Sequence, residues 1–353
     1  MADPDLLYAS NFANRRFFNP WWRFRLGPRK LLRLALTPNP YDKSRAPVVP
    51  VVQNSGAELA GRQESAKLTW VGHATFAIHD QDDVALTDPH FGKRAFSSAR
   101  KSPPGLPLEA IPPDAFAVVS HSHYDHLDGW TVARLPQTVE WFVPLGLASW
   151  FRKRGRQRVS ELGWWESARR GRWTVTCLPS QHWSRRTGQG INKTLWCSWL
   201  LDSGRHRYYF AGDTGYFDGF KEFRRRFAPI DVALLPIGSY EPRWFMRYQH
   251  MDPAEAYRAF QDLGARYMLP MHWGAFDLTH EPVDLAPAVF QRAVAAAGGD
   301  PERSPLLAVG EGWHLPAGDR AGTGDTMESC PHANSEDGPR WPAIWPRSRT
   351  SDE

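Results

Sequence analysis

The chain has 353 residues, room for one large α/β domain or two small ones, with 43 Lys and Arg against 38 Asp and Glu for a net charge of +5. That balance is too weakly basic to argue for nucleic acid, yet it suits an anionic surface or a phosphate-bearing substrate. The 17 Trp favour places where an apolar body meets a polar edge. No apolar run reaches about 18 residues, so no transmembrane helix is expected; Cys177, Cys197 and Cys330 lack metal-type spacing and leave one over in any pairing, which points to a reducing, cytoplasmic compartment.

Residues 1–66 read as an arm followed by a linker. Asn19 as a cap, Pro20 in the first turn and Gly27-Pro28 as a stop predict one short helix, and residues 30–36 a second, ending before Pro38. Arg15-Arg16 looks briefly like an export signal, but Arg23 and Arg25 fall where such a signal is apolar. Residues 12–36 interleave Arg15, Arg16, Arg23, Arg25, Arg29, Lys30 and Arg33 with Phe17, Phe18, Trp21, Trp22 and Phe24. That mixture fits a bilayer interface, apolar side down and Arg toward phosphates, so peripheral membrane contact is expected of it. Residues 38–66, polar and rich in Pro, Gly and Ser, are expected to be a linker or extended arm.

Regular structure is expected over residues 67–316. Strands are read at 67–72, 73–79 and 83–87, the last stopped by Asp88-Pro89, and a Pro-rich loop over 92–113. The apolar run 115–120 predicts a buried strand that empties into Ser-His-Ser-His-Tyr-Asp-His-Leu-Asp-Gly at 120–129, with a helix from about residue 127. Further strands are expected at 138–143, 173–178, 195–201, 207–211, 231–236, 266–270 and 306–309, and helices at 145–153, 252–264 and 286–297. Asp252, Pro253, Glu255 and Gly264 supply the caps of the middle helix. Residues 317–353 read as a disordered tail.

His121, His123, Asp125 and His126 fall within six positions, and imidazole nitrogens with a carboxylate are what divalent zinc, iron or manganese prefers. In an extended backbone His121 and His123 point to one side. Asp125 and His126 follow the turn and face a second point, which suggests two adjacent metal sites. His182, Asp213 and His272 each follow another apolar strand. A sheet-based fold that assembles its site from loops at one edge produces this recurrence.

The His-x-His-x-Asp-His cluster resembles the signature of the metallo-β-lactamase fold. Residues 69–75 (Thr-Trp-Val-Gly-His-Ala-Thr), 86–89 (Leu-Thr-Asp-Pro), 141–146, 179–183 (Pro-Ser-Gln-His-Trp), 210–216, 240–246 (Tyr-Glu-Pro-Arg-Trp-Phe-Met) and 272–274 narrow it. In order, they are similar to the N-acyl-phosphatidylethanolamine-hydrolysing phospholipase D family, with Asn19-Pro20-Trp21 in the arm extending the likeness over most of residues 12–315. The resemblance implies an α/β fold, the αββα sandwich, with two Zn2+ per chain. One zinc is implied at His121, His123 and His182, the other at Asp125, His126 and His272, and Asp213 between both. Asp125, His126 and Asp213 are the implied catalytic positions. The implied reaction is hydrolysis of N-acyl-phosphatidylethanolamine by a metal-bridged hydroxide, giving an N-acylethanolamine and phosphatidic acid, and a homodimer is an expectation of the same kind.

Asp88 is expected to orient a ligand imidazole and His73 to lie near the site, while Gln181, Tyr240, His250 and His280 are candidates for the substrate pocket. The same fold also serves a lactonase or a soluble phosphodiesterase. A non-enzymatic membrane- or nucleic-acid-binding module with structural metal fits less well, because closed structural sites are often Cys-rich.

Overall fold

The computed structural model describes residues 4–22 and 27–318. Side chains alternate between the two faces of a strand, and the central strands here are buried on both. β1 (Lys67–Gly72), β2 (Thr75–Asp80), β3 (Asp83–Thr87), β4 (Phe116–Val118), β5 (Glu140–Pro144) and β6 (Val159–Leu162) form one mixed sheet in the order β6-β5-β4-β3-β2-β1. β7 (Ser167–Arg170), β8 (Trp173–Leu178), β9 (Ser198–Asp202), β10 (Arg207–Phe210), β11 (Val232–Pro236) and β12 (Tyr267–Met271) form the second in sequence order. β13 (Gly312–His314) closes the first sheet antiparallel to β1.

The sheets pack face to face through aromatic rings: Phe116 of β4 meets Trp173 of β8 at 5.2 Å, and Trp173 stacks on Tyr208 of β10. On the outer face of the first sheet, Ala77, Leu86, Ala117 and Trp141 bury Val132 of α2 (Gly129–Arg134) and Phe151 of α3 (Ala148–Arg152). On the outer face of the second, Tyr209 packs against Phe220 and Phe223 of α4 (Gly219–Phe227), and α6 (Pro253–Leu263) lies on β11 with α7 (Ala286–Ala296) beside it. The result is the αββα sandwich. Two further helices border it, α1 (Pro28–Leu36) in the arm and α5 (Arg243–Met246) in a loop. Among the described residues no helix is long and apolar enough to cross a membrane.

A polar knot ties the two sheets together around Asp80. Its Oδ2 accepts bonds from Ser203 Oγ (2.6 Å), Tyr208 OH (2.9 Å) and His206 Nδ1 (3.0 Å). Burial opposes its charge, but the bonds from His206, Ser203 and Tyr208 hold its pKa below the usual carboxylate value. A group lowered in this way contributes stability above its unfolded pKa of about 3.9 and loses it as pH falls through the lower folded value. Asp80→Ala, which removes the acceptor shared by Ser203, Tyr208 and His206, is expected to cost about 2–3 kcal/mol. In urea melts the deficit should be full at neutral pH and shrink in acid; a pH-independent deficit would assign the loss to packing instead.

Several expectations change. Residues 19–22 are irregular, and Gly27-Pro28 starts a helix rather than stopping one: Pro28 is the first residue of α1, where its fixed φ suits the first turn. The rest of that expected helix, residues 23–26, lies outside the described residues, as does the expected tail over 319–353 with Cys330. Residues 38–66 are no free linker. Val48 N donates to Asp284, Lys43 pairs with Asp277, Val52 N donates to Val309 O, and Val51 bridges Val309. Within the apolar run 306–309, residues 307–309 are buried and Val309 pairs with that strap, but the run is not a sheet strand; the edge strand comes later, at β13. The capping box at Asp252 and Glu255 and the left-handed Gly264 stand as expected.

Candidate metal centre

β4, β8, β10 and β12 each end beside the same point, where the loops after them carry the cluster. His121, His123, His182 and Asp213 lie together, and so do His73, Asp125, His126 and His272; within each group the ligand-type atoms are within 4.8 Å of one another. Asp213 stands between the groups. Its Oδ2 is 3.7 Å from His121 Nε2 and from His182 Nε2 and 3.0 Å from His126 Nε2, while Oδ1 is 3.0 Å from His272 Nε2. The seven expected ligand positions are thus brought together, with His73 beside them at 3.1 Å from Asp125 Oδ2.

Imidazole nitrogens face one another here. His121 Nε2 is 2.9 Å from His123 Nδ1, His182 Nε2 is 3.1 Å from the same Nδ1, and His126 Nε2 is 3.1 Å from His272 Nε2. Nitrogens at this spacing suit a shared cation, since bonds of about 2.0–2.1 Å put tetrahedral ligand atoms about 3.3 Å apart. The buried Oδ1 of Asp213 has only His272 Nε2 near it, at 3.0 Å, and makes no well-aligned hydrogen bond, which leaves it free to face a metal. The residues fit a pair of metal ions.

Charge supports the same fit. Burial and the neighbouring His126, His123 and His182 push His121 well below the ordinary imidazole range, and burial takes His123 to about 4 and His182 well down, so all three are neutral. For Asp125 and Asp213 burial opposes charge, but the surrounding histidines, His126 first, hold both well below the usual carboxylate value. His126 and His272 go the other way: against burial, Asp213 and Asp125 raise His126 well above its usual value and His272 to about 9. Two buried carboxylates therefore demand positive charge, which protons supply on His126 and His272 and divalent cations supply by displacing them.

The shell around the cluster fixes which nitrogen each ring presents. His126 Nδ1 donates to Asp88 Oδ2 at 2.6 Å and His182 Nδ1 to the Gln249 carbonyl at 3.0 Å, leaving Nε2 inward in both. Ser120 Oγ lies 2.9 Å from His121 Nδ1. Asp88 also accepts from Ser120 N and Ser120 Oγ at 2.6 and 2.5 Å. His73, Asp88 and His272 hold φ of +54°, +32° and +67°, a region side chains rarely occupy. Such backbone persists only where its surroundings over-determine it: the His73 carbonyl accepts from both His272 N and Trp70 Nε1 at 3.0 Å.

The pocket candidates fare unevenly. His250 joins the cluster: its Nε2 is 3.9 Å from Asp213, and its ring lies 5.3 Å from that of His182. Gln181 turns its amide outward, accepting from Trp21 Nε1 and donating to the Tyr248 and Tyr216 carbonyls. Tyr240 is buried in a loop whose backbone bonds Glu281, and His280 bonds Glu241 and Asn39 through its backbone rather than the cluster. Sequence reasoning overlooked Arg186, whose buried guanidinium staples the His loop by donating to the Ser122 and Leu127 carbonyls. It also overlooked Asp128, which caps α2 and receives Gly92 N. A cap-type residue just before an apolar turn was the available signal for Asp128; nothing local marked Arg186.

Residues 85–273 match the beta-lactamase superfamily domain. The chain is 35% identical over 333 residues to the N-acyl-phosphatidylethanolamine-hydrolyzing phospholipase D 1 of Caenorhabditis elegans, spanning 88% of this chain and 93% of that protein. It is 34% identical over 230 residues to the N-acyl-phosphatidylethanolamine-hydrolyzing phospholipase D, mitochondrial, of Saccharomyces cerevisiae, spanning 60% of this chain and 48% of the other. Igni18, a metallo hydrolase from Ignicoccus hospitalis, shares the fold with a TM-score of 0.55 at 21% identity over 72% of this chain and 100% of its own. The likeness to the nematode protein meets most of both chains, and the chain belongs to the N-acyl-phosphatidylethanolamine-hydrolysing phospholipase D family within the metallo-β-lactamase superfamily of metal-dependent hydrolases.

Proposed function

We propose that the protein is a zinc-dependent phosphodiesterase of the phospholipase D type, releasing an N-acylethanolamine and phosphatidic acid from N-acyl-phosphatidylethanolamine. The observation that carries this reading is the paired buried cluster, joined through Asp213, in a chain alike over 88% of its length to a protein named for that hydrolysis. His121, His123 and His182 would hold one ion, Asp125, His126 and His272 the other, with Asp213 shared. Such a pair, when bound, lowers the pKa of a water toward about 7 and draws charge from phosphoryl oxygens.

The chain's own residues do the rest. Asp88 and the Gln249 carbonyl hold His126 and His182 with Nε2 free, so the site needs no reorganisation before reaction. His250, taken to about 3 by burial, is a neutral ring at the edge of the cluster, fit to border a phosphate without repelling metal. Water oxygen joins phosphorus, the bond to the ethanolamide oxygen breaks, and a proton must reach that oxygen. We assign that steering to Asp125, whose Oδ2 lies 3.1 Å from His73 Nε2.

The test offers mixed vesicles containing N-acyl-phosphatidylethanolamine, phosphatidylethanolamine and phosphatidylcholine and identifies released products by mass. Free N-acylethanolamine with phosphatidic acid is the expected outcome. Turnover of a lactone or a cyclic nucleotide with the vesicles left intact would reassign the substrate and keep the fold.

A further inference from the structure

His250 is held differently from the histidines around it. His126 and His182 are oriented through ring nitrogens, by Asp88 and by the Gln249 carbonyl. The buried Nδ1 of His250 has no hydrogen-bond partner among the described residues, and its Nε2 stands 3.9 Å from Asp213 Oδ2. Its ring lies 5.3 Å from that of His182 and 5.4 Å from that of His272. A ring without bonds of its own is placed by packing and by its backbone.

That backbone is fixed from two sides. The His250 N–H donates to the Met246 carbonyl at 2.9 Å, and the next residue, Met251, donates to the Thr214 carbonyl beside Asp213 at 3.0 Å. The His250 carbonyl accepts from Arg243 Nη1 at 2.9 Å. Arg243 is the first residue of α5, and its guanidinium bonds in two further directions. Nε donates to Asp252 Oδ2 at 3.2 Å and Nη2 to Glu255 Oε2.

Asp252 and Glu255 are also the capping box of α6, with Asp252 Oδ1 accepting from Glu255 N at 2.9 Å and Glu255 Oε2 from Asp252 N at 3.3 Å. α6 lies on β11, so the box is a rigid anchor. The planar fork of an arginine holds two carboxylates and a carbonyl at once, which an ammonium on a flexible stem does not. The side chains of Arg243, Asp252 and Glu255 are 26%, 31% and 28% exposed, and ion pairs at such exposure add little to stability. What the arrangement accomplishes is the placing of the His250 peptide. We propose that Arg243 is a positioning residue for hydrolysis, which carries the rigidity of the α6 cap to His250 and so sets the distance of that ring from Asp213 and from the phosphate. The consequence for turnover rests on the reading of His250 as a border of the phosphate; the placing of residues 247–251 does not.

The test combines Arg243→Gln, Arg243→Lys and His250→Ala in the full chain, singly and with each Arg243 variant in the His250→Ala background. Turnover is followed on detergent-dispersed N-acyl-phosphatidylethanolamine and on bis(4-nitrophenyl) phosphate. Arg243→Gln is expected to lower kcat roughly thirtyfold with KM within about threefold, since misplacing a group by about 1 Å can cost about a hundredfold. In the His250→Ala background the same change should cost less than about threefold, because the ring it serves is gone. Arg243→Lys keeps the charge beside Asp252 and Glu255 and should restore the melting temperature but not kcat. Hydrogen exchange in the metal-free protein should quicken about tenfold over residues 247–251 in both variants and stay unchanged over 120–127.

Equal losses in the two backgrounds, His250→Ala as active as wild type, full recovery of kcat by Lys, or unchanged exchange over 247–251 would overturn the proposal and leave Arg243 a structural ion pair. Should Arg243→Gln not fold, Arg243→Lys carries the same comparison. Hydrolysis of neither substrate by the wild type would remove the phosphodiester reading instead. The exchange result would then decide by itself whether Arg243 places the His250 loop.

Discussion

Asp213→Asn is expected to lower hydrolysis about a thousandfold or more, since a metal pair supplies several kcal/mol of transition-state stabilisation. The substitution keeps shape and volume, so the fold should survive. What it removes is the one carboxylate that faces both groups, with Oδ2 at 3.7 Å from His121 and His182 and 3.0 Å from His126, and Oδ1 at 3.0 Å from His272. Without it, two cations would lie side by side with only Asp125 to offset them. An amide also carries two N–H groups that must find acceptors among imidazole nitrogens already crowded together. Elemental analysis of protein purified without added metal should fall from two ions per chain toward one or none, in step with the rate. Retention of both ions with a rate within about tenfold of wild type would refute the shared role of Asp213.

The site was legible in unequal parts. His121, His123, Asp125 and His126 stand out because ligand-type residues rarely crowd into one turn, and that density survives without any knowledge of the fold. His182, Asp213 and His272 were readable only as a set, each following an apolar strand, because β8, β10 and β12 run in one direction and end on one rim. His250 carries no such mark: it follows the short α5 and a turn, and only the closure of that loop brings it to Asp213. The left-handed backbone at His73, Asp88 and His272 was also invisible, since none is Gly and Asp or His enters that region only occasionally. Tertiary bonds impose that geometry.

For the fold, strands with apolar residues on both faces were legible and edges were not. β7, Ser-Ala-Arg-Arg, offers little apolar alternation and is held by its pairing with β8 and by the bonds of Arg170 to Asp83. Conversely, Leu307, Ala308 and Val309 look like a strand because they are buried, but the backbone of Val309 pairs with Pro50 and Val52 of the strap, not with a sheet strand. Burial and pairing are separate facts, and an apolar run reports only the first.

Asp88 tests whether the shell around the metal centre is as decisive as the ligands. Its carboxylate takes three donors, Ser120 N, Ser120 Oγ and His126 Nδ1, all within 2.6 Å and all buried. Burial pushes its pKa up, with the bonds from His126 and Ser120 opposing, so a neighbouring positive charge is needed to keep it ionised at low pH. Asp88→Ala leaves the three donors without an acceptor and is expected to cost about 3–5 kcal/mol of stability, with little folded protein to assay. Asp88→Asn separates the two roles. Asn tolerates the left-handed backbone and keeps an oxygen for Ser120 N, so the fold should hold. It presents N–H to His126 Nδ1, however, which drives the ring proton to Nε2, the atom that faces His272 and Asp213. Metal affinity measured by chelator competition should therefore fall about 10–100-fold, with activity restored at high zinc. Wild-type affinity in Asp88→Asn would mean that the His126 tautomer is set by the cluster itself, and that Asp88 acts only on the backbone at Ser120.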